Sequence, residues 1–281
     1  MRFLAARFAA ALWPVVIGLS LLALAALPVF LSRNHAIISR WITWCAIAVL
    51  TFGAQLLGAP GAAALAILVG VLCAIEFARL VGLDNLDLAI LLIACVTLPV
   101  LAAIGKAWVL GYLPYILLAG AVLPLLSSDL YTSAKRSAFT AFGILWLAWA
   151  PAQMVPLHKH LTLIVLAVAV TDVSSWAAGK SLGRLPLLRL HPFVVSPNKT
   201  IAGFLGGALA SALILTLLGS FSISLFLVFA IGAPLGDLLA SAFKRGAGVK
   251  DAGSWLPGFG GLLDRADSLL LVLPLAALIL L

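Results

Sequence analysis

Long apolar runs, interrupted by single charges or by Pro and Gly, follow one another along the whole chain. They place spans near residues 8–31, 41–57, 61–78, 88–104, 110–126, 138–155, 161–178, 201–218, 223–241 and 268–281. A helix needs about 20 mostly apolar residues to cross a bilayer core. The pattern therefore predicts an all-α fold, a polytopic transmembrane helical bundle of about nine or ten spans. The Gly58-Ala59-Pro60-Gly61 cluster reads as the turn between the second and third spans. The first run, behind Arg2 and Arg7, is longer than a signal-peptide core, so a retained span is expected.

Composition strengthens this picture. Hydrophobic residues make up 64% of the 281 and charged residues only 9%, against roughly 45–50% and about 25% in soluble globular domains. A water-soluble surface cannot be built from so few charges. The expectation is a single integral membrane domain over 1–281, with N-terminal spans in 1–160 and the chemistry in 161–281.

The net charge of +8 would suggest a polyanion partner in a soluble protein. Here the basic residues sit singly or in pairs between apolar runs, which fits topology and argues against nucleic acid. Thirteen of the seventeen basic residues fall in the odd-numbered loops. By the positive-inside rule those loops face the cytoplasm. Cys45, Cys73 and Cys95 fall inside apolar runs with no metal-ligand spacing, and read as small buried hydrophobes.

The nine acids are unevenly placed. Glu76, Asp84, Asp87 and Asp129 lie near predicted loops and read as solvated charge. The other five stand beside basic, Gly or Ser residues in the C-terminal half. Asp172 lies within the seventh run, where an ionised carboxylate costs roughly 2.5–3.5 kcal/mol on insertion scales. It should face a polar cavity or a structural partner. Asp237, Ser241 and Lys244 share one helix face at i, i+4 and i+7, an arrangement that suits a metal-bound phosphate or an interfacial helix end.

The segment from Lys244-Arg245 through Lys250-Asp251, Gly260-Gly261 and Asp264-Arg265 to Asp267 adds cations, glycines and two carboxylates at i, i+3. Phosphoryl chemistry needs such parts, because carboxylates hold Mg²⁺ while cations neutralise phosphate oxygens. A solvated interfacial loop of mixed charge is the alternative. A third patch, Ser196-Pro197-Asn198-Lys199-Thr200 followed by Gly203, Gly206 and Gly207, combines a phosphate-binding or anchoring lysine with a face that admits a close neighbouring helix. With the seventh and ninth spans arriving at the cytoplasm and the eighth and tenth leaving it, all these segments reach a similar membrane depth.

Together, Gly236-Asp237, Ser241, Lys244-Arg245, Lys250-Asp251, Pro257-Gly258, Gly260-Gly261, Asp264-Arg265 and Asp267 resemble the phosphatidate cytidylyltransferases, as do the 196–200 patch and the Asp172 to Gly183 stretch. The resemblance covers roughly residues 170 to 270. It implies CTP and phosphatidate as substrates, CDP-diacylglycerol and pyrophosphate as products, and Mg²⁺ as cofactor. It further implies Asp237 and Asp264 as metal ligands, with Lys244, Arg245, Lys250 and Arg265 on phosphates. Asp251 and Asp267 would accompany them as catalytic or orienting groups, and Asp172, Ser196, Lys199, Ser241, Gly260 and Gly261 would contact substrate.

The implied location is the inner cell membrane, the site facing the cytoplasm, with membrane lipid as a partner and a homodimer as an allowed assembly. The chain departs from the family pattern at Phe259, where members usually carry His, and at Ala202 and Ala240, where Glu is usual or common. Those losses motivate a second expectation, a catalytically silent paralogue that binds lipid or a partner. A transporter would spread its acids along a route through the bilayer, whereas here they gather near one face.

Overall fold

The computed structural model describes residues 2–31, 33–122, 130–183, 195–197, 199–253 and 260–281, with side chains from residue 13 onward apart from 36 and 130–132. Asp129, Arg184, Arg189, Asn198, Pro257, Gly258 and Phe259 lie outside the described residues.

The fold is helical, with no strand among the described residues. The longer helices are α1 (Arg2–Leu31), α2 (His35–Leu56), α3 (Gly58–Val81), α4 (Asn85–Leu101), α5 (Leu113–Val122) and α6 (Leu130–Gly143). After the short α7 (Ala150–Ala152) come α8 (Leu161–Leu182), α9 (Ile201–Leu217), α10 (Ile223–Leu227), α11 (Ala233–Gly246) and α12 (Leu263–Leu280). In hydrocarbon, backbone N–H and C=O groups must be satisfied within the segment, which favours helices through all-apolar runs.

Among the described residues, six helical stretches are long and apolar enough to cross a bilayer: Trp13–Leu31, Ile37–Leu56, Gly58–Val81, Asn85–Val122, His158–Leu182 and Ile223–Gly246. Ile201–Leu217 is apolar but shorter. The chain is thus an integral membrane protein, and the expected count of nine or ten spans is not reached by these stretches alone. One reason is that the spans placed at 88–104 and 110–126 join in a single helical stretch. It is broken where Ile104, Gly105 and Lys106 leave helical geometry, Gly105 with φ of 82°.

The turn at 58–61 is tighter than a loop. Gly58 takes φ of 68° and already begins α3, with Pro60 in the first turn, where its missing N–H costs nothing. A Cβ on Gly61 would lie 2.5 Å from the carbonyl oxygen of Ala54, so glycine is required for α2 and α3 to meet at this elbow.

Around Phe77 of α3 the core is aromatic: Phe139, Phe142, Trp146 and Phe243 all have ring centroids within 6.4 Å of it. Phe243 ties this cluster to α11 one residue before Lys244. Cys73 and Cys95 are buried as expected, while Cys45 is half-buried.

Of the two acids near the start of α4 expected to be solvated, Asp84 is exposed but Asp87 is not. Asp87 is fully buried and bonds the guanidinium of Arg136 at 2.6 Å, and Asp84 meets the same group at 2.6 Å. Arg136, placed in a loop by the charge pattern, lies within α6 and is itself buried. An arginine presents donors in a fixed fork, so one buried side chain can serve two carboxylates and pin α6 to the start of α4.

Two close helix contacts position the polar residues. On α9, a Cβ at Gly203 would lie 2.9 Å from the carbonyl oxygen of Ser175, one at Gly206 2.2 Å from the Ala178 Cβ, and one at Gly207 2.1 Å from the Ser175 Oγ. The small-residue face expected of this segment is therefore the α8–α9 interface. Likewise, a Cβ on Gly236 of α11 would lie 2.4 Å from the carbonyl oxygen of Asp267, which brings Asp237 beside the first turns of α12.

Candidate active site

The polar segments open onto one cleft of ≈ 870 Å³. Asp172 stands halfway along α8, and its Oδ1 accepts a hydrogen bond from the Ser268 hydroxyl of α12 at 3.2 Å. Lys199 precedes α9, whose first turn is capped by Thr200 accepting from the Gly203 N–H at 3.2 Å. From there the lysine reaches across to α11, meeting Asp237 Oδ2 at 2.7 Å and donating to the Pro234 carbonyl at 3.2 Å. The hydroxyl of Ser241 also donates to Asp237, at 3.4 Å, as the shared helix face requires.

Lys244 turns instead toward α12, where its Nζ meets Asp264 Oδ1 at 2.6 Å. The other oxygen of Asp264 accepts the N–H groups of Ala252 and Gly261, each at 2.9 Å. Asp264 is buried, with three polar contacts holding its carboxylate in place. Asp267, also buried, accepts the N–H of Ser268 at 2.8 Å.

Of the residues singled out in the sequence, Asp172, Ser196, Lys199, Asp237, Lys244, Asp251, Asp264, Arg265 and Asp267 line this cleft. Ser241 contributes through Asp237. Gly260 and Gly261 stand behind the lining. Gly260 takes φ of 81°, and the Gly261 N–H is directed at the carboxylate of Asp264. Arg245 and Lys250 are exposed and lie outside the lining; the Arg245 guanidinium donates to the Val249 carbonyl. Ala202 and Ala240 are buried and also outside the lining.

The cleft draws on the N-terminal half as well. Arg40 and Trp44 of α2 line one wall, and Lys180 stacks over the Trp176 ring at 5.1 Å. No motif marked Arg40 or Trp44; only tertiary contact brings α2 to α8. Glu76 also departs from the expected solvated charge. Read as solvated, it is only 4% exposed, and it accepts N–H groups from Leu262 and Leu263. A signal was available: Glu76 falls within the span placed at 61–78, where an acid needs a partner for the same reason as Asp172.

Five acids and five basic side chains line the cleft, so its formal charge is balanced before any ligand enters. A nucleoside triphosphate would bring about four further negative charges, which calls for added positive charge. The available donors are hard carboxylate oxygens, which suit Mg²⁺. Among the described residues no three His, Cys, Asp or Glu side chains could together hold one ion. The described residues thus offer no all-protein cage, which fits the habit of Mg²⁺, one or two carboxylates completed by phosphate oxygens and water. Asp237, partly exposed, and Asp264, at the base of the cleft, are compatible with that role.

Known proteins share large parts of this sequence. A family model described as "Cytidylyltransferase family" matches residues 38–281. Proteins named phosphatidate cytidylyltransferase are similar in sequence. The one from Staphylococcus saprophyticus is 38% identical over 170 residues, 53% of this chain and 64% of its own. That of Staphylococcus epidermidis is 42% identical over 131 residues, 43% of this chain and 49% of its own. That of Staphylococcus aureus is 37% identical over 147 residues, 49% of this chain and 55% of its own. The chain thus spans between about half and two thirds of the length of these curated relatives.

Proposed function

The chain belongs to the cytidylyltransferase family, and we propose that it transfers the cytidylyl group of CTP to the phosphate of phosphatidate, giving CDP-diacylglycerol and pyrophosphate, with Mg²⁺ as the metal. The observation that carries this reading is the convergence of α8, the Lys199 segment, α11 and the start of α12 on one cleft. Asp172, Lys199, Asp237, Lys244 and Asp264 come from four separate parts of the chain and line it together, Lys199 paired with Asp237, Lys244 with Asp264, and Asp172 bonded by Ser268 of α12.

In this reaction an oxygen of the lipid phosphate forms a bond to the α-phosphorus of CTP, and the bond from that phosphorus to the departing pyrophosphate breaks. The lipid phosphate is already anionic, so neutralisation and alignment matter more than a general base. Lys244, oriented by Asp264, and Arg265 would face the departing phosphates. Lys199 would meet another phosphate oxygen. Its position between Asp237 and the Pro234 carbonyl holds the ammonium in place before substrate arrives, which limits the reorganisation needed. Asp237 and Asp264 would hold the metal, which when bound adds positive charge at the phosphate oxygens.

On this reading the cleft faces the cytoplasm of a bacterial cell, supported by the bias of basic residues toward one set of loops. The test is pyrophosphate release by purified protein in detergent, given CTP, phosphatidate and Mg²⁺. Release that requires all three, with CDP-diacylglycerol formed in equal amount, is the expected result. Lipid binding without CTP-dependent release would overturn the proposal in favour of a catalytically silent protein.

A further inference from the structure

Glu76 belongs to α3 and does not line the cleft, yet it is tied to the part of the chain that does. Its Oε1 accepts the Leu262 N–H at 2.8 Å and its Oε2 accepts the Leu263 N–H at 2.7 Å. These amides open α12, where first-turn N–H groups have no intrahelical acceptor and the helix dipole favours negative charge. A carboxylate 186 positions upstream therefore caps α12.

The loop is shaped to admit this carboxylate. A Cβ on Gly261 would lie 2.5 Å from Oε2, and one on Gly253 would lie 2.8 Å from Oε1. The same stretch holds Asp264, whose Oδ2 takes the Ala252 and Gly261 N–H groups. Two acids thus share one backbone segment, Glu76 from behind and Asp264 from the cleft side. Any shift in the first turn of α12 carries Asp264, Arg265 and Asp267 with it. Burying a carboxylate is costly unless its hydrogen bonds are made, so simple packing would be met more cheaply by an apolar side chain.

We propose that Glu76 is a positioning residue for cytidylyl transfer: by capping α12 it sets where the Asp264 carboxylate stands relative to Lys244, and so how tightly the cleft takes a divalent cation. This rests on the functional reading above, but its structural half does not need turnover to be tested.

The experiment uses full-length protein in detergent, as wild type, Glu76→Gln, Gly261→Ala and a core control, Leu147→Ala. Glu76→Gln keeps the shape but turns an NH₂ toward a backbone N–H. Gly261→Ala keeps the carboxylate and crowds its seat. Amide hydrogen exchange over residues 260–266 is read without ligand, and Mn²⁺ binding is followed by electron paramagnetic resonance.

Both variants at the contact should speed exchange at Leu262 and Leu263 by about tenfold or more while leaving α8 unchanged. They should weaken Mn²⁺ binding by on the order of tenfold, as loss of an outer-shell partner does. Leu147→Ala should lower thermal stability without weakening Mn²⁺ binding. If Glu76→Gln folds, it decides the matter; if it does not, Gly261→Ala does. Unchanged exchange, or Mn²⁺ affinity that falls equally in Leu147→Ala at matched stability, would overturn the proposal. Silent wild-type protein that still shows these shifts would remove the cytidylyl-transfer reading and leave Glu76 as the cap of a metal site.

Discussion

Lys244 and Asp264 stand 20 residues apart in the chain and meet across α11 and α12 at 2.6 Å, both largely withdrawn from solvent. The pair links two helices that line the cleft, and each member orients the other. Asp264→Asn should therefore act in two ways. It removes a carboxylate from the site, and it leaves the Lys244 ammonium facing a neutral amide. Pyrophosphate release should fall at least about a hundredfold, and the unfolding midpoint should drop, since breaking a buried pair costs about 3–5 kcal/mol. Parallel turnover and thermal-unfolding measurements check both.

Lys199 gives a contrasting case. Its partner Asp237 is partly exposed, so solvent screens the ion pair and it adds little to stability, about 0–1 kcal/mol. Lys199→Ala should leave the unfolding midpoint nearly unchanged while raising the KM for CTP by about tenfold, the loss expected from one charge-assisted hydrogen bond of about 1.5 kcal/mol. Steady-state kinetics at saturating Mg²⁺ would show it.

The α8–α9 contact can be tested with single methyl groups. Gly206→Ala sets a Cβ 2.2 Å from the Ala178 Cβ, which cannot rotate away, whereas Gly53→Ala meets nothing within 4 Å. The first should destabilise by about 1–3 kcal/mol and lower activity, because it pushes α8 and α9 apart at the wall of the cleft. The second should be neutral or stabilise by about 0.5–1 kcal/mol. Thermal unfolding of the two variants side by side distinguishes steric contact from a general intolerance of alanine.

Arg136→Ala should be a stability variant alone. It strands the fully buried Asp87, whose cost is again about 3–5 kcal/mol. Neither residue lines the cleft. At a temperature where the variant remains folded, its KM for CTP should match wild type within about twofold, which steady-state kinetics measures.

Chelation of divalent cations should stop turnover, and Mg²⁺ should restore it. The five acids and five basic residues of the cleft leave no surplus positive charge for a triphosphate. Ca²⁺ should substitute poorly because it prefers six to eight oxygens at longer distances. Pyrophosphate release in a chelator and metal titration series is the measurement.

The legible residues were those whose chemistry clashes with their surroundings. Asp172 stood out because an acid inside an apolar run must be explained, and Lys199, Asp237, Lys244 and Asp264 because they share short segments with glycines and other charges. The structure brings all five to one cleft. Gly203, Gly206 and Gly207 were legible as a packing face for a related reason: only absent side chains let two backbones approach so closely. Glu76 and Asp87 are buried although both lie near predicted loops, because proximity to a loop in sequence does not set exposure. Arg40 and Trp44 carried no local signal, since a lone Arg at the end of an apolar run is usually a topological anchor.

Hydropathy by itself determined that this chain is helical and membrane-embedded, because backbone hydrogen bonds in hydrocarbon leave few other choices. Local spacing determined which polar segments could handle phosphate. Which charges pair was decided only by the tertiary structure: Lys199 with Asp237 across α9 and α11, Lys244 with Asp264, and Glu76 with the start of α12. A hydrogen bond forms over about 3 Å, and no sequence separation of 20, 38 or 186 residues encodes such a distance until helices pack. The glycines at those crossings are where the two levels meet, written in the sequence as missing side chains and given meaning by the neighbour each one admits.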